Sequence, residues 1–126
     1  MKATRKNSPS FRPIANLYET IDVRWDFTAA EFEKIQMGSL PLGMGDRFFI
    51  FMENDCLYIN QWSGEGLYML WFRQEGDHFL AYQLRISKDP SVSAIRDNRE
   101  EVRTVMGIKL VYIFQYPVNG IARIDN

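Results

Sequence analysis

The residues best suited to nucleophilic chemistry are His78 and Cys56, because the chain has a single histidine and a single cysteine. A nucleophile and its base must lie within hydrogen-bond reach. These two residues are predicted to lie two strands apart, each beside a different turn. Cys56 is therefore interpreted as a small packed residue. No catalytic residue is predicted, and the question of enzymatic activity stays open, with a non-enzymatic role preferred.

Metal and cofactor sites are not predicted either. Zinc needs several histidine or cysteine ligands, and calcium needs a loop dense in oxygen atoms, for which residues 53–55 are too few. The acids at hairpin tips, Glu53 and Asp55, are expected to be solvated. Gly43 and Gly45 follow a predicted helix and precede a predicted strand, which reverses the order in a dinucleotide-binding motif, and no lysine accompanies them.

Length and charge favour one globular domain that does not bind nucleic acid. The chain has 126 residues and a net charge of −1, whereas nucleic-acid binders neutralise phosphates with basic residues. Residues 1–13 carry four basic residues and no acid, so we interpret them as a flexible basic arm ahead of a single α+β domain, residues 14–126. The lone cysteine indicates a reducing compartment. With no apolar stretch long enough for a signal or a membrane span, the sequence predicts a cytoplasmic protein and no membrane partner.

The clearest local signals predict a helix over residues 29–37. Thr28 and Glu31 form a capping box at its start, and Gly38 supplies the residue that ends it. Residues 20–25 are a strand in one interpretation, and residues 14–20 an irregular segment in another. Apolar residues at three- and four-residue steps predict a C-terminal helix over residues 98–114; a shorter helix followed by a fifth strand is the alternative.

Residues 47–86 predict a four-stranded antiparallel meander, so the fold class is α+β: a short N-terminal helix, the meander, and a C-terminal helix packed on one sheet face. The connections are a two-residue turn at Asn54-Asp55, a four-residue loop at 63–66 and a three-residue loop at 75–77. This register gives the sheet a first face that forms the core: Phe48, Ile50, Met52, Leu57, Ile59, Leu70, Phe72, Leu80, Leu84 and Ile86. The second face holds Arg47, Phe49, Phe51, Glu53, Tyr58, Asn60, Trp62, Met69, Trp71, Arg73, Phe79, Gln83 and Arg85.

The second face carries the functional hypothesis. A solvated antiparallel face is mostly polar, but this one has six aromatic residues interleaved with arginine. Tryptophan, tyrosine and arginine dominate interface hot spots, so the sequence predicts a protein partner. The predicted binding residues are Arg47, Tyr58, Asn60, Trp62, Trp71, Arg73 and Arg85.

Three alternatives remain for the same face. In the first, residues 14–27 or the last ten residues fold over it and form a second small core. In the second, the arginines meet a small anionic ligand or nucleotide while the rings stack on it. In the third, two copies of the chain bury their aromatic faces against each other as a homodimer. Stacking of single-stranded nucleic acid on the rings is disfavoured by the net charge.

Residues 46–72 resemble a family of small bacterial α+β proteins without an established activity. In that family a DRW strand leads to an acidic turn, an LYFHRSWTG strand and a strand with an early tyrosine. The corresponding residues here are Asp46-Arg47-Phe48, Glu53, Leu57-Tyr58, Trp62-Ser63-Gly64 and Tyr68. Where the family has His-Arg-Ser, this chain has Asn60 and Gln61 and is one residue shorter, so no role of that arginine is transferred. The resemblance extends over roughly residues 27–88, and the arrangement with one helix before the strands and one after them is similar as well.

Overall fold

The fold is α+β, as the sequence predicts, and the described residues form one antiparallel sheet and two helices. The computed structural model describes residues 3–4, 11–14, 16–38, 48–61, 63–92 and 97–108. Neither helix within these ranges is long and apolar enough to cross a membrane. The elements in chain order are β1 (Tyr18–Thr28), α1 (Ala29–Met37), β2 (Phe48–Glu53), β3 (Cys56–Gln61), β4 (Gly66–Glu75), β5 (His78–Ser87) and α2 (Asn98–Ile108).

The described sheet has five strands in the order β1-β5-β4-β3-β2 instead of the predicted four. The additional strand is β1, which pairs antiparallel with β5. The strand interpretation of residues 20–25 is thus confirmed, and the strand extends beyond that range at both ends. Its alternating apolar residues Ile21, Val23 and Trp25 pack against the main core. Helix α1 follows β1 directly, so the first element of the described chain is a strand and not a helix.

The hairpin between β2 and β3 has the predicted turn. Asn54 and Asp55 have φ angles of 54° and 61°, the pair of positive values that a type I′ hairpin turn requires. Phe51 lies opposite Tyr58, and Phe49 lies opposite Asn60, as predicted. The predicted pairing of residue 47 with residue 62 lies outside the described residues.

The register of the β3–β4 hairpin differs from the prediction by two residues. Asn60 pairs with Gly66 instead of Met69, and Met69 pairs with Tyr58. The loop contains Gly64 at a φ of 116°, and a bulge at its exit leaves Leu67 as the extra residue of β4. Because a shift of two residues keeps the alternation of side chains, the predicted faces of β3 and of residues 68–73 in β4 are preserved.

The β4–β5 hairpin turns over two residues, not the predicted three. Glu75 pairs with His78, and Gly76 takes a φ of 64° in the turn. The prediction was therefore wrong about Leu80, which pairs with Arg73 on the second face, and about Phe79, which lies on the first face. A bulge at Tyr82 adds one residue to β5 between Gln83, the partner of Trp71, and Ala81, the partner of Phe72. This extra residue cancels the one-residue error that the prediction made at the turn. Beyond it Leu84 and Ile86 return to the predicted first face.

Helix α1 forms as its capping residues predict. The Thr28 hydroxyl accepts a bond of 3.1 Å from the Glu31 amide, and the Glu31 carboxylate accepts one of 2.9 Å from the Thr28 amide. Gly38 ends the helix at a φ of 67°, and a Cβ there would overlap the carbonyl oxygen of Ile50. The helix buries Phe32 and Ile35 on the first face.

Helix α2 covers the same face. Val105 is buried in the main core, and the buried Glu101 accepts a hydrogen bond of 2.9 Å from the hydroxyl of Tyr68. The predicted continuation to residue 114, as helix or as strand, lies outside the described residues. The buried members of the main core are Phe27, Phe32, Ile35, Ile50, Leu57, Ile59, Leu67, Tyr68, Leu70, Phe72, Ala81, Leu84, Ile86 and Val105.

Candidate functional site: the second face of the sheet

Two cross-strand rows span the second face from edge to edge. The first row contains Thr20, Arg85, Met69, Tyr58 and Phe51, and the second contains Asp22, Gln83, Trp71, Cys56 and Glu53. The structure divides this face into two parts of different character. We call the part on β2 and β3 the covered half and the part on β1, β5 and β4 the open half.

The covered half is a second small core. Phe49 and Phe51 are buried together with Ala3. The ring of Phe11 meets the rings of Phe51 and Tyr58 edge-on, with centroids 5.3 and 5.8 Å apart. Tyr58 stacks on Phe51 at 4.9 Å with an interplanar angle of 7°. Edge-to-face and stacked pairs of this kind add to the stabilisation from area burial, so Phe11 anchors the N-terminal segment to the sheet.

Residues 11–14, which we call the clasp, are also fixed by polar contacts. The side-chain amide of Asn60 donates to the carbonyl oxygens of Arg12 and Gly64, at 3.0 and 2.9 Å. The Arg12 amide donates to the Gly64 carbonyl at 2.8 Å. Asn60 is 1% exposed. Without these hydrogen bonds, burial of its side-chain amide would lower the stability of the folded state.

Glu65 forms the outer end of the clasp contact. Its carboxylate pairs with the Arg12 guanidinium and accepts a hydrogen bond from the Ser63 hydroxyl. The pKa of Glu65 is lowered first by the hydrogen bond from the Ser63 hydroxyl, and then by a hydrogen bond from its own backbone amide and by the positive charge of Arg12. The ion pair is exposed, so it contributes little to stability; the buried contacts of Phe11 and Asn60 hold the clasp.

The alternative in which the chain's own ends form a second small core against this face is confirmed for the covered half, although the predicted segment 14–27 contributes only Ile14, which belongs to the clasp. Among the described residues, Ala3 and the clasp provide the cover. Residues 18–27 instead form the edge strand β1 and enlarge the face. Residues 117–126, the other candidate cover, lie outside the described residues. The flexible arm over residues 1–13 stays a prediction, although Ala3, Phe11 and Arg12 make the contacts given above.

The open half is centred on Arg85. Its guanidinium carbon lies 4.3 Å from the centre of the Tyr18 ring and 5.1 Å from that of Trp71. Its Nε–H donates to the Thr20 hydroxyl at 3.3 Å. Cation–π contacts to two rings hold the guanidinium in place. Tyr18 is 47% exposed, and Arg85 and Trp71 are half-buried, so this group reaches solvent.

A second arginine on the open half stands over a second ring. The guanidinium carbon of Arg73 lies 5.2 Å from the centre of the Tyr82 ring, and its Nε–H donates to the Glu75 carboxylate at 2.9 Å. Arg73 also borders a cleft of about 130 Å³ whose other lining residues are Phe32, Asp55, Phe72, Gln74 and Phe79. Pockets for drug-sized ligands have volumes of roughly 300–1,000 Å³, so this cleft is too small for a nucleotide.

The predicted binding residues are therefore distributed over both halves. Trp71, Arg73 and Arg85 lie on the open half, and Tyr58 and Asn60 lie on the covered half, where Asn60 serves the clasp. Arg47 and Trp62 lie outside the described residues.

Sequence reasoning missed Tyr18 and Tyr82. A strand predicted over residues 18–28 and paired with β5 would have placed Tyr18 beside Arg85. The bulge that brings Tyr82 to Arg73 has no local sequence signal.

Cys56 is not disposed for nucleophilic chemistry. Burial raises the pKa of its thiol to about 12, although the positive charge of Arg85 and a backbone hydrogen bond with Leu70 lower it in part. The reactive species is the thiolate, which this environment disfavours. The Nε2 atom of His78 lies 3.6 Å from a carboxylate oxygen of Asp26, and its Nδ1 atom lies 3.4 Å from one of Asp77. The residues that the structure describes contain no cluster of three or more histidine, cysteine or acidic side chains suited to a metal ion.

No family model matches the chain, and comparisons with curated proteins and with solved structures give no match. The resemblance to small bacterial α+β proteins therefore stays a prediction, and any function rests on the geometry of the open half.

Proposed function

We propose that this chain is a non-enzymatic binding protein that holds a protein partner against the open half of the second face. The observation that carries the proposal is the position of Arg85 between the rings of Tyr18 and Trp71. Tryptophan, tyrosine and arginine are the residues enriched at interface hot spots. Here the three types stand together on paired strands.

Preorganisation supports the proposal. A long side chain that is ordered only on binding costs about 0.5–1.5 kcal/mol, and the rings and the Thr20 hydroxyl already restrict Arg85. Arginine has five N–H donors, of which the structure assigns Nε–H to Thr20. The terminal donors suit a carboxylate, which arginine binds with two parallel hydrogen bonds. The partner that fits has an acidic side chain beside an apolar surface.

Immunity, antitoxin and inhibitor proteins are small single-domain binders of this kind, and the comparison with them is one of general class only. A small-ligand site at Arg73 is less well supported, because the cleft beside this residue holds only about 130 Å³. The open half is also not matched to a nucleic acid, since Asp22, Asp26 and Glu75 accompany its arginines.

The test compares four forms of the immobilised protein: wild type, Trp71→Ala, Arg85→Ala and Met37→Ala. Met37 is the control because it is an exposed apolar residue, at 42% exposure, on α1 and away from the open half. Proteins retained from a lysate of the source cells are identified by mass spectrometry, and the purified candidate is then titrated by calorimetry. Unfolding midpoints of all four forms are measured alongside.

We expect Trp71→Ala and Arg85→Ala each to weaken binding by about 2 kcal/mol, which is roughly thirtyfold in Kd, and Met37→Ala to bind as the wild type does. A partner that binds the Trp71→Ala and Arg85→Ala forms with unchanged affinity would refute the proposal. If Trp71→Ala unfolds the protein, the less buried Tyr18 provides a further variant of the same group.

A further inference from the structure

Strand β1 is the outermost strand at one side of the described sheet. In the part of the chain that the structure describes, it pairs with β5 alone. It has 11 residues, about twice the usual strand length. Proteins protect such edges with charged side chains, above all lysine, and with proline, bulges or short strands. β1 contains neither lysine nor proline, but it has an irregularity between Asp22 and Trp25 and four charged residues, Glu19, Asp22, Arg24 and Asp26. A partner strand on this edge must therefore match these charges.

The sequence of β1 is complementary to itself in the antiparallel register that pairs all 11 of its residues. When two copies pair about a two-fold axis at Val23, Asp22 of each copy faces Arg24 of the other, which gives two ion pairs. Thr20 then faces Asp26, so no like charges meet. Directly opposed side chains of opposite charge stabilise a strand pair, and like charges destabilise it.

Other registers satisfy this less well. An axis at Trp25 also sets Arg24 against Asp26 and forms two ion pairs, but it pairs only residues 22–28 of the strand. An axis at Asp22 opposes Asp22 to its own copy. An axis at Arg24 opposes the two Arg24 side chains and sets Asp22 against Asp26. An axis at Ile21 leaves Arg24 facing Tyr18 and forms no ion pair. Registers with an axis between two residues would place first-face residues opposite second-face residues.

The apolar side of β1 agrees with the same register. Ile21, Val23 and Trp25 are only partly buried and pack against the margin of the main core. With the axis at Val23, the two Val23 side chains meet and each Ile21 faces Trp25 of the other copy. The two main cores would then join along the first face, while Asp22 and Arg24 pair along the second. The irregularity near Val23 increases local twist, and the two-fold axis gives both copies the same twist at the point of contact.

We propose that a second copy of this chain pairs with β1 about Val23, so that two five-stranded sheets form one continuous antiparallel sheet. The occupant is a second copy because, in this register, each charge in the centre of β1 faces an opposite charge on the other copy. This interface uses the outer edge of β1 and leaves Trp71 and Arg85 on the surface. Its failure and the failure of the proposed partner site are therefore separate results.

The first experiment is a charge exchange, read out as mass by sedimentation equilibrium over a wide range of protein concentration. The variants are Asp22→Arg, Arg24→Asp and the double variant. Each single change converts both ion pairs into like-charge pairs, and we expect it to raise the dimer dissociation constant by about tenfold or more. The double variant restores opposite charges and should return to within about threefold of the wild type. Glu33→Lys on α1 is the control for net charge.

The second experiment fixes the register by cross-linking. Val23→Cys should form a disulfide-linked dimer under mild oxidation, because residue 23 faces its own copy. Thr20→Cys faces residue 26 of the other copy and should not link to itself. The native Cys56 is buried and stays in both variants. A wild type that is monomeric at every concentration, a dimer unaffected by the single charge changes, or equal cross-linking of both cysteine variants would each overturn the proposal.

Discussion

The guanidinium carbon of Arg85 lies 4.3 Å from the centre of the Tyr18 ring and links the edge strand β1 to its neighbour β5. Tyr18 pairs with Ser87 and Arg85 pairs with Thr20, so the two side chains are diagonal neighbours on the second face. Diagonal neighbours on one sheet face are within reach of long side chains. This contact allows the first prediction.

A double-mutant cycle of Tyr18→Ala and Arg85→Ala should show a coupling of about 0.5–1 kcal/mol in the free energy of unfolding, because each single change removes the same cation–π contact. Urea unfolding measures it at a concentration where the protein is monomeric. The cycle of Tyr18→Ala with Arg24→Ala is the control. Arg24 is six positions along β1 from Tyr18, about 20 Å, and should show no coupling. Equal couplings in both cycles would mean that the Arg85 contact contributes nothing of its own.

The clasp gives the second prediction. A Cβ on Gly66 would lie 2.6 Å from the Ile14 nitrogen and 2.9 Å from the Pro13 carbonyl carbon. Because these are backbone atoms, the side chain of Gly66→Ala can be accommodated only if the clasp moves. We expect the free energy of unfolding to fall by about 1–3 kcal/mol, and a dye that binds apolar surface to bind the folded protein more strongly as the covered half is exposed.

Gly76→Ala is the matched control for the clasp. Gly76 has a φ of 64°, and a Cβ added there would meet no heavy atom within 4 Å, so alanine costs backbone strain of about 1–2 kcal/mol and leaves the clasp in place. It should lower stability without increasing dye binding. If both variants bind the dye equally, the increase reports lower stability and not an open clasp.

Local signals account for what the sequence predicts well. The capping box at Thr28 and the turn at Asn54 and Asp55 depend on neighbouring residues alone, and both occur as predicted. The alternation of apolar residues also assigns most of the first face correctly, because a register error of two residues, as at Asn60, leaves side chains on the same face.

Long-range contacts account for what the sequence does not predict. β1 is stabilised by pairing with β5, whose residues lie 50 to 69 positions further along the chain, and its own pattern is compatible with a strand or an irregular segment. The turn at Gly76 is one residue shorter than predicted, and the bulge at Tyr82 adds one residue further along β5. The error in the turn therefore places Phe79 and Leu80 on the wrong faces but does not affect Leu84. The division of the second face depends on the distant contact of Phe11 with Phe51.

The cap of α1 gives the third prediction. Thr28→Ala removes the hydroxyl that accepts the hydrogen bond from the Glu31 amide, and should lower the free energy of unfolding by about 1 kcal/mol. Thr28→Ser keeps the hydroxyl and should lose only a few tenths. Chemical denaturation of the two variants measures the difference. Equal losses would show that the strand pairing of Thr28, and not its cap, determines the effect.

The thiol of Cys56 gives the fourth prediction, which concerns alkaline pH. Its pKa is raised from 9.0 to about 12 by burial, so between these values the folded chain keeps a proton that the unfolded chain releases. The stabilisation from this proton is fully present below pH 9.0 and is lost as the pH rises toward 12. In this window the free energy of unfolding should fall more steeply in the wild type than in Cys56→Ala.

The difference in slope should approach about 1.4 kcal/mol per pH unit. Because lysine and tyrosine titrate in the same range, the comparison with Cys56→Ala isolates the thiol. Urea unfolding at a series of pH values up to about 11 measures both slopes. Parallel slopes would mean that the thiol ionises in the folded protein as readily as in the unfolded chain. Cys56 would then also react with a thiol reagent under native conditions. Because the thiol is buried, we expect no such reaction.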